Sequence, residues 1–136
     1  MFRKKASKPQ NRIDSLIGAG TRIEGNVTFT GGLRVDGEIM GNVIASGGQP
    51  STLVVSEQAR IDGEIQVSHL VVNGAINGSV HSAEFLELQN HSRVKGDVHY
   101  NTLEMHLGAV VEGRLVHSSS VNESIKTVEL KIASRN

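Results

Sequence analysis

The chain has 136 residues, 38% of them hydrophobic, and 15 glycines, which is room for one domain with an ordinary apolar content. It has no cysteine, which excludes disulfides, thiolate metal sites and thiol catalysis, and with three Phe, one Tyr and no Trp the core must be filled by Val, Ile, Leu and Ala. The formal charge is zero, but residues 1–12 carry five basic side chains and no acid, so the remaining 124 residues are negative by five; that argues against a broad nucleic-acid surface on the body.

The chain opens on Met1 and Phe2 beside Arg3, Lys4, Lys5 and Lys8. An apolar tip next to cationic charge predicts a flexible arm over residues 1–12 that binds anionic lipid, each basic residue contributing about 1 kcal/mol near such a surface. A solvated tail and a nucleic-acid-binding arm are the competing readings. No apolar run approaches the roughly 18 residues of a spanning helix, and no hydrophobic signal region follows the basic arm, so the chain is expected in the cytoplasm.

From residue 13 onward one pattern recurs: apolar, any, Gly, any, apolar. It begins at Ile23, Ile39, Ile61, Ile76, Val94 and Val111, at intervals of 16, 22, 15, 18 and 17 residues. The long interval contains the turn-forming cluster Gly47-Gly48-Gln49-Pro50-Ser51. Between the motifs lie short alternating segments such as Leu33-Arg34-Val35, Leu70-Val71-Val72 and Leu103-Glu104-Met105, one more strand signal per repeat. A unit of this length is too short for a helical hairpin or a propeller blade and fits one coil of a parallel β-helix.

The reading is therefore an all-β, single-domain β-helix of about six coils over residues 13–116, with coils stacked roughly 4.8 Å apart. The motif's first residues would form one inward ladder. Gly25, Gly41, Gly63, Gly78, Gly96 and Gly113 would stack at a corner that needs positive φ or close backbone approach. An antiparallel sandwich is the alternative, since Asp36-Gly37, Asp62-Gly63, Asn73-Gly74 and Asn77-Gly78 suit two-residue hairpins, but glycines after Glu24, Met40, Lys95 and Glu112 do not. Residues 117–136 are Ser-rich and read as a flexible tail or, through Val128, Leu130 and Ile132, as one extra strand.

A β-helix has no lateral edge, yet each end exposes unpaired backbone groups around an apolar cross-section, a template for another copy. Neither terminus offers a capping helix. End-to-end assembly is expected, with Ile13, Leu16, Ile17 and Ile23 at one end and Met105, Val110, Val111 and Leu115 at the other; tails that fold back over the ends are the competing outcome.

Six histidines require weighing as metal ligands, but only His81 and His99 fall on equivalent positions, and two ligands do not make a site; no metal and no cofactor are expected. Glu84 and Glu87, or Asp62 and Glu64, read as solvated charge, and protonation of neighbouring imidazoles would make the surface pH-sensitive. The chain has no phosphate-binding Gly-Lys-Ser/Thr sequence, and Gly18-Ala19-Gly20 lacks the context of a dinucleotide site, so no nucleotide is expected. A hexapeptide-repeat acyltransferase is the enzymatic alternative, disfavoured by the drifting intervals.

Four segments carry a resemblance: Gly18-Ala19-Gly20-Thr21-Arg22-Ile23-Glu24-Gly25, Val35-Asp36-Gly37-Glu38-Ile39-Met40-Gly41-Asn42-Val43, Leu70-Val71-Val72-Asn73-Gly74 and Gly108-Ala109-Val110-Val111-Glu112-Gly113. In this order and spacing over residues 14–116 the sequence resembles the bactofilins, bacterial polymer-forming cytoskeletal proteins. The resemblance implies a right-handed β-helix that polymerises head to tail without nucleotide, as a non-enzymatic scaffold beneath the cytoplasmic membrane. It also implies an N-terminal membrane anchor, roles in cell shape, and cell-wall synthesis or remodelling proteins as partners. In the family's terminal coil a large apolar side chain supports filament contacts, and the matching position is Val111, a smaller residue. The runner-up is a non-polymerising β-helical adaptor that binds one partner.

Overall fold

The computed structural model describes residues 12–118; the basic arm through residue 11 and the tail from residue 119 lie outside the described residues. Among the described residues fifteen strands wind into six coils with three faces. Coil 1 is β1 (Ser15–Ile17), β2 (Arg22–Glu24) and β3 (Val27–Phe29), and coil 2 is β4 (Gly32–Val35), β5 (Glu38–Met40) and β6 (Val43–Ala45). Coil 3 is β7 (Thr52–Val55), β8 (Arg60–Asp62) and the start of β9 (Ile65–Val72); coil 4 is the rest of β9, β10 (Ala75–Asn77) and the start of β11 (Val80–Leu88). Coil 5 continues through β11, β12 (Arg93–Lys95) and the start of β13 (Val98–Met105), and coil 6 ends with the rest of β13, β14 (Val110–Glu112) and β15 (Leu115–His117).

Every pairing is parallel, which removes the antiparallel sandwich. The register stacks like on like. On the first face Leu33, Leu53, Leu70 and Leu86 form one inward row, and Val35, Val55, Val72 and Leu88 a second. The second face contributes Ile39, Ile61, Ile76 and Val94, and the third Val43, Ile65, Val80 and Val98. All sixteen are buried. Each stabilises the fold by about 1.5–3 kcal/mol through lost water contact, before the entropy of ordering the chain is subtracted.

The drifting interval has two local causes. The shortest coil, from Ile61 to Ile76, uses a single residue, Ser68, at the corner between the third and first faces and the pair Asn73-Gly74 at the next turn. Asp36-Gly37 closes that turn in two residues as well, and in the other four coils it grows to four residues, at 18–21, 56–59, 89–92 and 106–109, each closed by a backbone hydrogen bond from its fourth N–H to its first carbonyl at 3.0–3.1 Å. At the other corner Ala83-Glu84 adds a bulged residue, and Ser46–Ser51 forms the one long excursion. The end of that excursion is fixed by reciprocal bonds: Ser51 N–H donates to Ser68 Oγ, and Ser68 Oγ donates to the Ser51 carbonyl, both at 2.7 Å.

At the corner between the second and third faces, a Cβ on Gly96, whose φ is +145°, would run into the carbonyl oxygen of Gly78 one coil earlier, and Gly41, Gly63, Gly78 and Gly113 meet their own predecessors in the same way. Only glycine lets the coils close to strand spacing there. Gly25 begins the ladder and meets nothing within 4 Å, because no coil precedes it among the described residues.

Candidate functional site

The two ends of the column are where core and strand edges are left unfinished. Among the described residues, strands β1, β2 and β3 are paired on one side only, as are the last segment of β13, β14 and β15. The inward rows run on into these coils, and no described residue stacks beyond them. Ile17, Ile23 and Val111 are half-buried, while Met105 and Leu115 are each 44% exposed, although the row that ends in Met105 reads 0% at Val35, Val55 and Val72.

The sequence-derived end residues therefore divide. Ile17, Ile23, Met105, Val111 and Leu115 belong to inward rows and make up the apolar cross-section. Leu16 stands in an outward row with Arg34, Val54, Val71, Glu87 and Glu104, and Val110 in another with Arg93, so both sit at the rim; Ile13 precedes β1 and is exposed. Reading the repeat missed Val27 and Phe29, which face inward in coil 1, and Leu103 and Ala109 in coil 6. The motif's last position, which gave Leu115, also gives Val27. Leu107, 95% exposed at the tip of the last turn, carries no repeat signal.

Turn lengths mark the N-terminal end independently. Along coils 1 to 6 the turn between the first and second faces runs long, short, long, short, long, long. Each short turn places a glycine, Gly37 or Gly74, against the carbonyls of the long turn before it. Where a long turn lies directly on a long turn, its third residue is Gly108, φ +99°, whose Cβ would sit 2.6 Å from the Asn90 carbonyl oxygen. The third residues of the long turns that follow a short one are Gln58 and His91. Coil 1 has Gly20 at that position, with no neighbour within 4 Å and no positive φ. Its lack of a side chain is unused among the described residues.

Along the flank lies a Ser-His-Glu arrangement that sequence reading did not single out. It borders an open groove of about 740 Å³ between the Ser46–Ser51 loop and the third face. Ser68 Oγ is 3.0 Å from His69 Nδ1, and His69 Nε2 is 3.7 Å from Glu84 Oε1. A nucleophile must aim its hydroxyl proton at the base, whereas Ser68 gives its only proton to the Ser51 carbonyl. The group anchors a loop.

His81 and His99 stack one coil apart, ring centroids 4.4 Å apart and 8° from parallel, with His81 Nε2 3.2 Å from Glu64 Oε2. A different trio converges further along: His106 Nε2 lies 3.1 Å from Glu87 Oε2 and 3.2 Å from Glu104 Oε2. Three aspartates have their pKa lowered. Asp14 accepts from the Gly32 backbone N–H, Asp36 is bonded by Ser56 and then Arg34, and Asp97 is held by the Arg114 side chain and backbone N–H. Asp14 ties coil 1 to coil 2 and Asp97 ties coil 5 to coil 6.

The residues expected to bind membrane, Met1, Phe2, Arg3, Lys4, Lys5 and Lys8, lie outside the described residues, as does the strand expected in the tail. Among the described residues no helix is long and apolar enough to cross a membrane. Neither a curated protein nor a solved structure matches the chain. A family model does, described as bactofilin, polymer-forming cytoskeletal, and it covers residues 15–116. Those limits fall within β1 and β15, so the matched region is the stacked column itself, and the chain belongs to the bactofilin family.

Proposed function

We propose that this chain is a non-enzymatic scaffold whose copies join end to end, without nucleotide, into filaments. One observation carries the reading: among the described residues, both ends of the column present half-covered core rows ringed by strands with a free edge. Stacking a second copy covers those rows and pairs those edges, the same two contributions that hold the middle coils together. Gly20 supports it, because a close-approach glycine facing an open end has a use once another backbone lies against it.

The filament is held on the inner face of the cytoplasmic membrane by Met1, Phe2 and the basic residues through Lys8. One arm binds anionic lipid weakly and reversibly, and many arms on one polymer bind together, so assembly converts a weak anchor into a firm one. A membrane-bound filament of this kind positions cell-shape or cell-wall machinery.

Negative-stain microscopy of the purified chain without nucleotide tests the assembly: filaments are expected, and uniform small particles would favour the single-partner adaptor. Sedimentation with anionic vesicles tests the anchor. Deleting residues 2–5 should leave filaments intact and release them from the vesicles; loss of both properties would make the arm an assembly element instead.

A further inference from the structure

The trio Glu87, Glu104 and His106 has a chemistry that end-to-end stacking does not use. Glu87 and Glu104 are directly paired neighbours in the outward row of the first face, one on coil 5 and one on coil 6. Like charges directly opposite each other in a sheet are destabilising. Along the outward rows of the second face an acid one coil away meets a base: Glu38 lies between Arg22 and Arg60, and Glu112 beside Lys95. Among the described residues the only group paired with Glu87 and Glu104 that can carry positive charge is His106, which reaches back from the following turn.

His106 is not a sufficient counter-charge in any protonation state, since one imidazole carries at most one positive charge against two carboxylates. In either neutral tautomer Nε2 has at most one proton for two carboxylates, and with the proton on Nδ1 three lone pairs converge on one point. A cation placed there meets all three. All the donor atoms lie within 4.8 Å of one another. The separations of 3.1 and 3.2 Å from Nε2 are close to the roughly 3.3 Å between two ligands held about 2.0–2.1 Å from a tetrahedral zinc ion. Glu87 is further oriented by Gln89, whose side-chain amide donates to the same Oε2 at 3.1 Å, in the manner of a group that positions a ligand.

We infer that Glu87, Glu104 and His106 form a binding site for a divalent transition-metal ion of the zinc type, clasping coil 6 to coil 5 at the C-terminal end of the column. One imidazole with two carboxylates selects such an ion over magnesium or calcium, which prefer all-oxygen surroundings. Three protein ligands leave a coordination position for water.

The test is calorimetric titration of the untagged full chain with zinc chloride at pH 7.5, beside a magnesium titration. One zinc per chain is expected, with little response to magnesium. His106→Gln and Glu104→Gln alter partly exposed side chains, so both should keep the wild-type β-rich circular dichroism while weakening zinc at least tenfold. The double variant His81→Gln/His99→Gln controls for zinc captured by the stacked pair and should bind as the wild type does. Equal affinity in the His106 and Glu104 variants, loss of binding in the His81/His99 control, or an equal response to magnesium would overturn the assignment.

Discussion

The middle coils and the end coils are made from the same rows of residues, and they differ only in whether a neighbour lies on both sides. Val55 and Val72 are fully buried; Met105, in their row, is nearly half exposed. Nothing chemical marks coil 6 as a surface. In a column of parallel coils a side chain is covered largely by its counterparts above and below, so an end is core awaiting its next layer rather than surface evolved to meet water. That is why stability and assembly can be separated by position along one row.

The largest expected effect comes from the glycine corner. Gly78→Val drives a branched side chain into the Gly63 backbone, and the chain should fail to fold or lose more than about 4 kcal/mol in urea denaturation. Gly25→Ala, at the open end of the same ladder, meets only the penalty of its φ of +138° and should cost about 1–3 kcal/mol. Next, Leu70→Ala should cost about 2–5 kcal/mol by opening a cavity, whereas Leu115→Arg should change monomer stability by under about 1 kcal/mol and abolish sedimenting polymer. Gly20→Val sharpens the contrast further: within about 0.5 kcal/mol of wild type in monomer stability, with assembly lost.

The smallest effect is acid fraying. Asp14 and Asp97 have folded-state pKa values below their unfolded ones, so what they contribute is complete above the ordinary carboxylate range and is lost as pH falls below about 4 through the lowered values. Because these two residues tie each end coil to its neighbour, amide protection, corrected for the intrinsic exchange rate at each pH, should fall in β1 and β15 before it does in β8 and β10 as pH drops from 5 to 3.

Much of this architecture is legible in the residues. Period-2 alternation separates Ile39 from its outward neighbours, and the six motif copies put the inward ladder and the glycine corner in register, since each depends on spacing along one strand. The corners are less legible. Whether a turn closes in two residues, as Asn73-Gly74 does, or in four, as Gln89–Ser92 does, is not set by the alternation along one strand. Leu16 and Val110, apolar residues near an end, read as cross-section although they stand outward by one strand position. The trio at His106 needs the register of two coils and the path of a four-residue turn together, and spacing along the chain supplies only the Glu87 to Glu104 step.

Hydrogen exchange of the second face, compared between dilute monomer and assembled protein, tests most directly whether the ends are unfinished core. Amides of β8 and β10 should be protected in both states, while those of β2 and β14 should gain protection only on assembly. Equal protection of all four strands in the monomer, or end strands that stay open in the polymer, would contradict it.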